Sequence, residues 1–378
     1  MKHVVQPDAK LSERHGVHLR DRLIWLMSQR LLSLDAFRGF TMFWLAGGAA
    51  FVRSFQSLFD NPAFTALANQ FQHTHWEGLR FWDTVMPAFL FMVGMSVPFA
   101  TARRAETESR REVLRHAVRR AVIIFLLGSL RESLSVGKPY LIELSSTLQP
   151  IAVSYLICVL LERTRPWVQW LTAALFLAIP GAIMAFAAAP GIPAGSYARE
   201  MNISFWLDLE VLGRTHKDVW GTVLTEWLIP PTAIFGMRIG ALLLAEGDRS
   251  SKLRRILWMG LSAVVLGLAL SPWFPIIMRL WTPSYGILSA GVACLQFALF
   301  FWLIDIKKWS GWTMPLVVIG TNALAAYMLP TLVPISRHVG VFTSQAGTLA
   351  PVLRAAAVLA VQWLILFWLY RRKIFLRP

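Results

Sequence analysis

The sequence predicts an all-α polytopic integral membrane protein with about ten transmembrane helices and with both termini in the cytosol. Hydrophobic residues make up 56% of the 378 residues and charged residues only 15%, and the mean hydropathy is +0.53. Long apolar runs recur along the whole chain, which is typical of polytopic membrane proteins. The formal net charge is +16, but the cations cluster in particular loops, which favours membrane topology over a nucleic-acid-binding face.

Residues 1–33 are predicted to be a basic N-terminal segment. They lack the n-region, apolar h-region and cleavage site of a signal peptide, so no leader is expected to be removed. In residues 18–33, apolar residues recur at helical spacing with Arg20, Arg22 and Arg30 between them. This pattern predicts a helix lying in the membrane interface; a soluble cap is the alternative.

A membrane domain is predicted over residues 34–372. Its apolar runs are long enough to cross about 30 Å of hydrocarbon. They lie near residues 36–55, 80–101, 114–132, 147–162, 167–188, 227–246, 254–272, 285–304, 313–333 and 350–370. The fourth run is short and the ninth contains Pro330 and Pro334, so these two have the least sharply defined ends.

The distribution of lysine and arginine tests this arrangement. With the N-terminus in the cytosol, and each cation near a helix end assigned to the adjacent loop, 25 cations lie inside and nine outside. The other three, Arg38, Arg238 and Arg354, lie within helices. Because short cytosolic loops carry the excess of Lys and Arg, the count supports ten spans with both termini inside. It also places His73 in the first external loop.

Residues 72–96 concentrate polar side chains at the outer end of the second predicted helix. His73, His75 and Glu77 alternate, so they point the same way in an extended segment, and Asp83 follows inside the apolar run. A neutral imidazole can act as general base or transient acyl acceptor, and a carboxylate on its other nitrogen sets its tautomer. The alternatives are a metal site formed by the His/His/Glu trio, and histidines that only solvate a loop.

The first predicted helix opens with an acid–base pair. Asp35 and Arg38 are three residues apart, so they share a helix face and can form an ion pair. The pair either stabilises the start of the helix or leaves Arg38 to bind an anionic group that arrives from the cytosol.

A second arginine is predicted at membrane depth in the sixth helix. Arg238 lies between Gly236 and Gly240, which are spaced for close packing of two helices. An unpaired charge at that depth costs roughly 3 kcal/mol or more. A phosphate, or the carboxylate of Asp305 or Glu226, would serve as its partner.

The ninth predicted helix and the longest external segment also contain polar residues, and the sequence allows more than one role for each. Asn322 and Tyr327 in the ninth helix lie about 140° apart around its axis, and each can hydrogen-bond a ligand or a neighbouring helix. The longest external segment, residues 189–226, includes Asp208, Trp220 and other polar residues. It forms either a lid or half of an acceptor site, or a solvated connector.

Several motifs are absent from the sequence. It has no Gly-rich phosphate loop, nucleophile elbow, HExxH motif or Cys/His metal spacing. Cys158 and Cys294 both lie in apolar runs, which excludes a disulfide framework and a thiolate metal cluster. No metal cofactor is therefore predicted, and soluble nucleotide chemistry is not expected.

The motifs around these residues resemble the heparan-α-glucosaminide N-acetyltransferase-like family of transmembrane acyltransferases. Residues 30–39 match R-x-x-S-x-D-x-x-R-G, and residues 73–78 match H-x-x-W-x-G, followed by Asp83 and P-x-F-x-F-x-x-G at 87–94. Further segments resemble the remaining family signatures in the same order: LQPIAVSYL (148–156), LIPPTAIFGMRIG (228–240), WTPSYGILSAG (281–291), WLID (302–305) and GTNALAAY (320–327).

The resemblance implies an activity and a site. Members of the family use acyl-CoA on the cytosolic side, and the acetyl group reaches an acceptor amine on the opposite side. The catalytic histidine of H-x-x-W carries over to His73 and not to His75, and the carboxylate ten positions later carries over to Asp83. The arginine of the family's LQR motif is Pro150 here, whereas Gln149 is retained. A homodimer is also implied.

The predicted function is that of a bacterial inner-membrane acyltransferase. It would move an acetyl or other acyl group from cytosolic acyl-CoA to an amine or hydroxyl of a periplasmic sugar or glycan, with His73 as base or transient acyl carrier and Asp83 orienting its ring. The candidates for acyl-CoA contacts are Arg38, Arg238 and Gln149, supported by Asp35. The candidates for the acceptor side are Trp76, Glu77, Asn322 and Tyr327. A transporter or flippase of small molecules or lipid-linked sugars, and a non-catalytic scaffold, are the rival interpretations.

Overall fold

The computed structural model describes residues 31–59, 61–139, 147–216 and 218–376. The predicted interfacial helix over 18–33 therefore lies almost wholly outside the described residues. Residues 32–378 form one unit, and its described part is built almost entirely from helices.

The first half of the membrane domain contains eight α-helices and a short hairpin among the described residues. The helices are α1 (Leu32–Phe43), α2 (Ala49–Ser54), α3 (Pro62–Asn69), α4 (Val85–Arg104), α5 (Arg110–Val136), α6 (Leu148–Leu161), α7 (Pro166–Phe186) and α8 (Ile203–Leu212). A π-helical segment, Trp44–Gly48, joins α1 to α2, and a 3-10 turn, Phe81–Thr84, leads into α4. The antiparallel hairpin pairs β1 (Tyr197–Ala198) with β2 (Met201–Asn202).

The second half continues with helices in the same manner. They are α9 (Thr225–Leu228), α10 (Pro230–Leu244), α11 (Arg249–Leu270), α12 (Pro283–Phe300), α13 (Met314–Thr321), α14 (Ala323–Leu332), α15 (Ile335–Thr343) and α16 (Ala350–Arg371). A π-helical segment, Phe301–Ile306, extends α12.

Each of the ten predicted intervals coincides with helical structure. Within the described residues, six helices are long and apolar enough to cross a membrane: Phe81–Arg104, Pro166–Phe186, Thr225–Leu244, Arg249–Leu270, Pro283–Ile306 and Gly347–Arg371. The fourth interval forms α6, whose 14 residues span only about 21 Å. The multi-pass helical architecture is thus confirmed, whereas the count of ten crossings and the cytosolic termini stay predictions.

The ninth predicted helix is broken, which the sequence analysis did not predict. Its two parts, α13 and α14, are bent by 75° relative to each other. The break falls at Asn322, whose φ of −122° and ψ of 43° are not helical. Pro330, by contrast, lies inside α14. The continuous helical wheel assumed for Asn322 and Tyr327 therefore does not apply.

Glycine allows α4 and α10 to pack backbone against backbone, as the small-residue spacing predicts. A Cβ placed on Gly236 would lie 1.9 Å from the Phe91 carbonyl oxygen, and one on Gly240 would lie 2.3 Å from that of Met95. The residue numbers of the contacts increase together along both helices, so α4 and α10 run parallel. The approach places the residues of α4 that follow Asp83 against the middle of α10.

Substituting Gly236 by alanine is expected to destabilise the protein by about 1–3 kcal/mol, because the two helices must separate to admit the methyl group. Fluorescence-monitored thermal unfolding in detergent should show a midpoint several degrees below that of the wild type. Gly311→Ala is the matched control, since a Cβ at Gly311 meets nothing within 4 Å. Equal midpoints for the two variants would contradict the close approach of α4 and α10.

Candidate active site

Asp83 is held in place by its own turn of helix. It is the third residue of the 3-10 turn Phe81–Thr84, and its Oδ2 accepts the backbone N–H of Arg80 at 3.0 Å. The N–H of Thr74 reaches the same oxygen at 3.4 Å. The Tyr285 hydroxyl donates to the backbone carbonyl of Asp83 at 2.6 Å. The carboxylate is completely buried, and these hydrogen bonds fix its orientation.

His73 contacts the other oxygen of this carboxylate, as the sequence analysis predicts. Its Nδ1 lies 2.8 Å from Asp83 Oδ1. Because a carboxylate only accepts hydrogen bonds, Nδ1 carries the proton and Nε2 keeps its lone pair in the neutral ring. The Asp83 side chain is buried whereas 41% of the His73 side chain is exposed, so the imidazole faces the open side with a basic nitrogen.

Two tryptophans contact the imidazole. The indole N–H of Trp82 donates to His73 Nε2 at 3.1 Å, which agrees with the tautomer assigned from Asp83. The ring of Trp220 meets the imidazole edge-on, with 5.7 Å between ring centroids. The sequence analysis did not single out Trp82, although its position next to Asp83 is a usable signal. The contact from Trp220 favours a lid or acceptor-site role for residues 189–226 over a solvated connector.

Three connecting segments meet around His73. The segment after α3 is joined to the segment after α11 by the N–H of Gly78, which donates to the Ile276 carbonyl at 2.8 Å. The segment after α8 joins the same place through the N–H of Gly221, which donates to the Arg279 carbonyl at 2.9 Å. These bonds bring Trp220 and Arg279 to the imidazole from distant parts of the chain.

Arg279 is a cation that contacts the segment holding His73. Its Nη1 donates to the carbonyl oxygens of Thr74 and His75, 2.8 Å from each. Burial lowers the pKa of Arg279 below its usual value, and the cation of Arg199 acts in the same direction, while Asp83 opposes the change. Arg279 thereby fixes the backbone on both sides of His75 and places positive charge near the buried carboxylate.

The sequence around this site is similar to that of a known family. Residues 30–197, which include His73 and Asp83, match the family model described as heparan-alpha-glucosaminide N-acetyltransferase, catalytic. The match covers less than half of the chain, and over these residues the chain is similar to that family. It is also similar to heparan-alpha-glucosaminide N-acetyltransferase of Mus musculus, with 24% identity over 324 residues. That match covers 68% of this chain and 48% of the mouse protein, so the chain spans about half the length of the relative.

Trp76 and Glu77, the first two acceptor-side candidates, lie in the family motif beside His73. The indole N–H of Trp76 donates to the Tyr197 carbonyl at 2.8 Å and so anchors the β-hairpin to this segment. Glu77 is exposed, and its backbone forms an isolated antiparallel β-bridge with that of Ile277. Burial raises the pKa of Tyr197 to about 12, so its hydroxyl is protonated at neutral pH.

Asn322, another acceptor-side candidate from a family motif, lies elsewhere. Its side chain donates to the Ile374 carbonyl at 3.1 Å and accepts the N–H of Leu376 at 3.0 Å, beyond the C-terminal end of α16. The opposite, N-terminal end of α16 is about 33 Å away. It begins just after Thr348, whose carbonyl oxygen accepts a hydrogen bond from the Ser57 hydroxyl. The loops that hold His73 continue from Ser57, so Asn322 lies near the opposite end of α16 from these loops.

Tyr327 is buried in the helical core. The Arg131 guanidinium lies over its ring, 4.3 Å from the centroid, and none of the described contacts joins it to His73.

The three candidates for acyl-CoA contacts lie at three different places. Arg38 pairs with Asp35 at 3.2 Å, as predicted, and also donates to Ser96 on α4 at 2.9 Å. Gln149 donates to Ser129 on α5 at 2.9 Å. The described contacts therefore do not assemble these residues into one site.

The prediction of Asp305 or Glu226 as the partner of Arg238 is wrong. Arg238 donates to the Oε1 of Gln169 on α7 at 3.0 Å rather than to Asp305 or Glu226. The Gln169 amide nitrogen is held by three backbone carbonyls at the junction of α6 and α7. A neutral amide therefore satisfies one arm of the guanidinium, and no carboxylate of the described residues forms a salt bridge with it.

The metal interpretation of the His/His/Glu trio finds no geometric support. Among the described residues, no three His, Cys, Asp or Glu side chains lie close enough together to hold a metal ion. His73 instead uses its Nδ1 on Asp83.

Proposed function

We propose that this protein transfers an acetyl group from acetyl-CoA, used at the cytosolic face, to an amine or hydroxyl of a sugar on the opposite side of the membrane. The family match supports a membrane acetyltransferase. The observation that carries the mechanism is the His73–Asp83 pair, in which a buried carboxylate holds Nδ1 and leaves a basic Nε2 on the exposed side. A bacterial inner membrane and a periplasmic His73 loop belong to the same proposal.

His73 acts as the general base in this proposal. As the acceptor nitrogen or oxygen forms a bond with the thioester carbonyl carbon, its proton passes to His73 Nε2. The carbon–sulfur bond then breaks, and the departing CoA thiolate takes the proton back from the imidazolium. Asp83 holds the tautomer and stabilises the imidazolium. The Trp82 indole must first leave Nε2, so acceptor binding exchanges one hydrogen-bond donor for another.

The covalent route would use the same nitrogen as a nucleophile. Nε2 would attack the thioester and hold the acetyl group before the acceptor arrives. We favour direct transfer, because a single step avoids an acyl-imidazole that water can hydrolyse.

The donor and acceptor groups are proposed to approach along α4. Arg38, the retained candidate for a CoA phosphate, bonds Ser96, which lies about 20 Å along the helix from Asp83. An elongated donor such as acyl-CoA can extend over such a distance. Trp76, Glu77 and Trp220 are the candidates for contacts with the sugar, because Trp220 contacts the imidazole and the other two follow His73 within four residues.

A transporter or flippase is the second candidate function. The observation that favours it is the break between α13 and α14, since discontinuous helices line the binding sites of many transporters. This interpretation requires no chemistry at His73.

Proteoliposomes distinguish these functions. Acetyl-CoA is placed on one side of the membrane and glucosamine on the other, and both arrangements of the two substrates are tested. In one of the two arrangements, N-acetylglucosamine measured by mass spectrometry should accumulate on the glucosamine side. Empty liposomes are the control. Transfer only when both substrates share a compartment would contradict the transmembrane route. Passage of unmodified glucosamine without acetylation would establish the transporter instead.

A further inference from the structure

An apolar groove opens on the outer surface of the helical bundle. It is formed between α7, α10, α11 and α12 and has a volume of about 480 Å³. Its walls are almost entirely apolar and include Ala174, Leu177, Phe235, Ala263 and Leu266. The groove does not include His73 or Asp83, and the proposed reaction does not use it.

A cationic cavity continues the groove at one end. It has a volume of about 400 Å³ and is lined by two arginines on different helices, Arg238 of α10 and Arg255 of α11. Trp170, Trp258 and Met259 line both spaces. The groove and the cavity therefore form one elongated site, apolar along most of its length and positively charged at one end.

The order of side chains along this site matches the depth profile of one membrane leaflet. On α11, Arg255 is followed by Trp258 and then, one and two turns deeper, by Ser262 and Leu266. On α7, Trp170 precedes Leu177 in the same direction. Basic residues at the surface, tryptophan at the interface and apolar residues below are typical of membrane-facing helices.

The two arginines lack an acidic partner within the described part of the chain. The salt bridges there include neither Arg238 nor Arg255. Gln169 orients Arg238 but does not neutralise it. Two cations that line one cavity at the edge of the hydrocarbon repel each other, and an anion between them would remove this cost.

We infer that this site binds one anionic phospholipid, with its phosphate between Arg238 and Arg255 and an acyl chain in the apolar groove. The site opens sideways, since Trp258 is 68% exposed and Trp170 is 40% exposed. A lipid of the surrounding leaflet can therefore enter without crossing the protein. A guanidinium pair favours a headgroup with net negative charge over a zwitterionic one. This binding site is independent of acetyl transfer.

Native mass spectrometry of the purified, detergent-solubilised protein tests the inference. Wild-type protein should retain one phosphatidylglycerol in preference to phosphatidylcholine. Binding should weaken about 5-fold for Arg255→Gln and about 30-fold for the double variant Arg238→Gln/Arg255→Gln. Arg254→Gln is the matched control, because it removes the same charge from the neighbouring exposed position, which does not line the cavity. Equal loss in Arg254→Gln, or equal retention of both lipids, would overturn the inference.

A second variant tests the acyl part of the site with both arginines intact. Ala263→Phe narrows the groove and should abolish phosphatidylglycerol retention while leaving the thermal midpoint near that of the wild type. Undiminished retention would show that no chain occupies the groove. Glycerol 3-phosphate carries the headgroup chemistry without the chain and should not compete at millimolar concentration. Effective competition by it would reduce the site to a phosphate site and contradict the proposed lipid.

Discussion

Replacing His73 by alanine is expected to lower kcat for acetyl transfer by a factor of about 10²–10⁴, which is the range for loss of a general base. The reason is the position of Nε2, which is the unprotonated nitrogen of a partly exposed ring whose other nitrogen is bound to Asp83. The measurement is the initial rate of N-acetylglucosamine formation in the proteoliposome assay, with the amount of folded protein matched by size-exclusion chromatography.

His75→Ala is the matched control for this substitution. His75 is two residues away and exposed, and its described contact is made by its backbone carbonyl, which the substitution keeps. Its rate should stay close to that of the wild type. Equal rates for wild type and His73→Ala would remove His73 from the reaction, and an equal loss in both variants would point to a loop effect. Radiolabel retained on wild-type protein from labelled acetyl-CoA without acceptor would establish the covalent route.

Asp83→Asn is expected to lower kcat by about 10²–10⁴ with little change in KM, because an amide at this position can donate to Nδ1 and move the ring proton to Nε2. Asp83 touches the imidazole and not the substrate, so it acts as a positioning residue. Nitrogen NMR of labelled histidine should show the proton on Nδ1 in the wild type and on Nε2 in the variant.

This substitution also affects a buried structural contact, and the two effects can be separated. Asp83 Oδ2 accepts backbone N–H groups, so Asp83→Asn should also lower the thermal midpoint. Activity is therefore compared at a temperature well below both midpoints. A fall in kcat without any change of tautomer would contradict the positioning role, and an unchanged kcat would remove Asp83 from the mechanism.

Local interactions were predictable from the sequence. The pair Asp35–Arg38 and the glycine contacts of α10 follow from helical spacing alone, because residues three or four apart share a face. The positions of the helices follow from long apolar runs, since a membrane leaves the backbone few other ways to satisfy its hydrogen bonds. The contact between His73 and Asp83 is local as well, because only ten residues separate them and the 3-10 turn directs the carboxylate back.

Contacts between distant residues were not predictable in this way. Gln169 is 69 residues from Arg238, and neither segment contains a pattern that predicts the Gln169 amide, rather than a carboxylate, as the partner of Arg238. The same holds for Asn322, whose polar side chain serves the chain end and not a ligand. A polar residue in an apolar run is equally suited to binding a substrate, a helix or a loop, and its surroundings decide which.

The sequence by itself determined a multi-pass helical protein with a resemblance to the heparan-α-glucosaminide N-acetyltransferase family, and it singled out His73 and Asp83, because hydropathy and sequence motifs are properties of contiguous residues. Only the tertiary structure decided that Trp82 and Trp220 contact the imidazole, that α13 and α14 break at Asn322, and that Arg238 and Arg255 line one cavity. Each of these depends on which helices and loops become neighbours, and that choice is made by packing across the whole membrane domain.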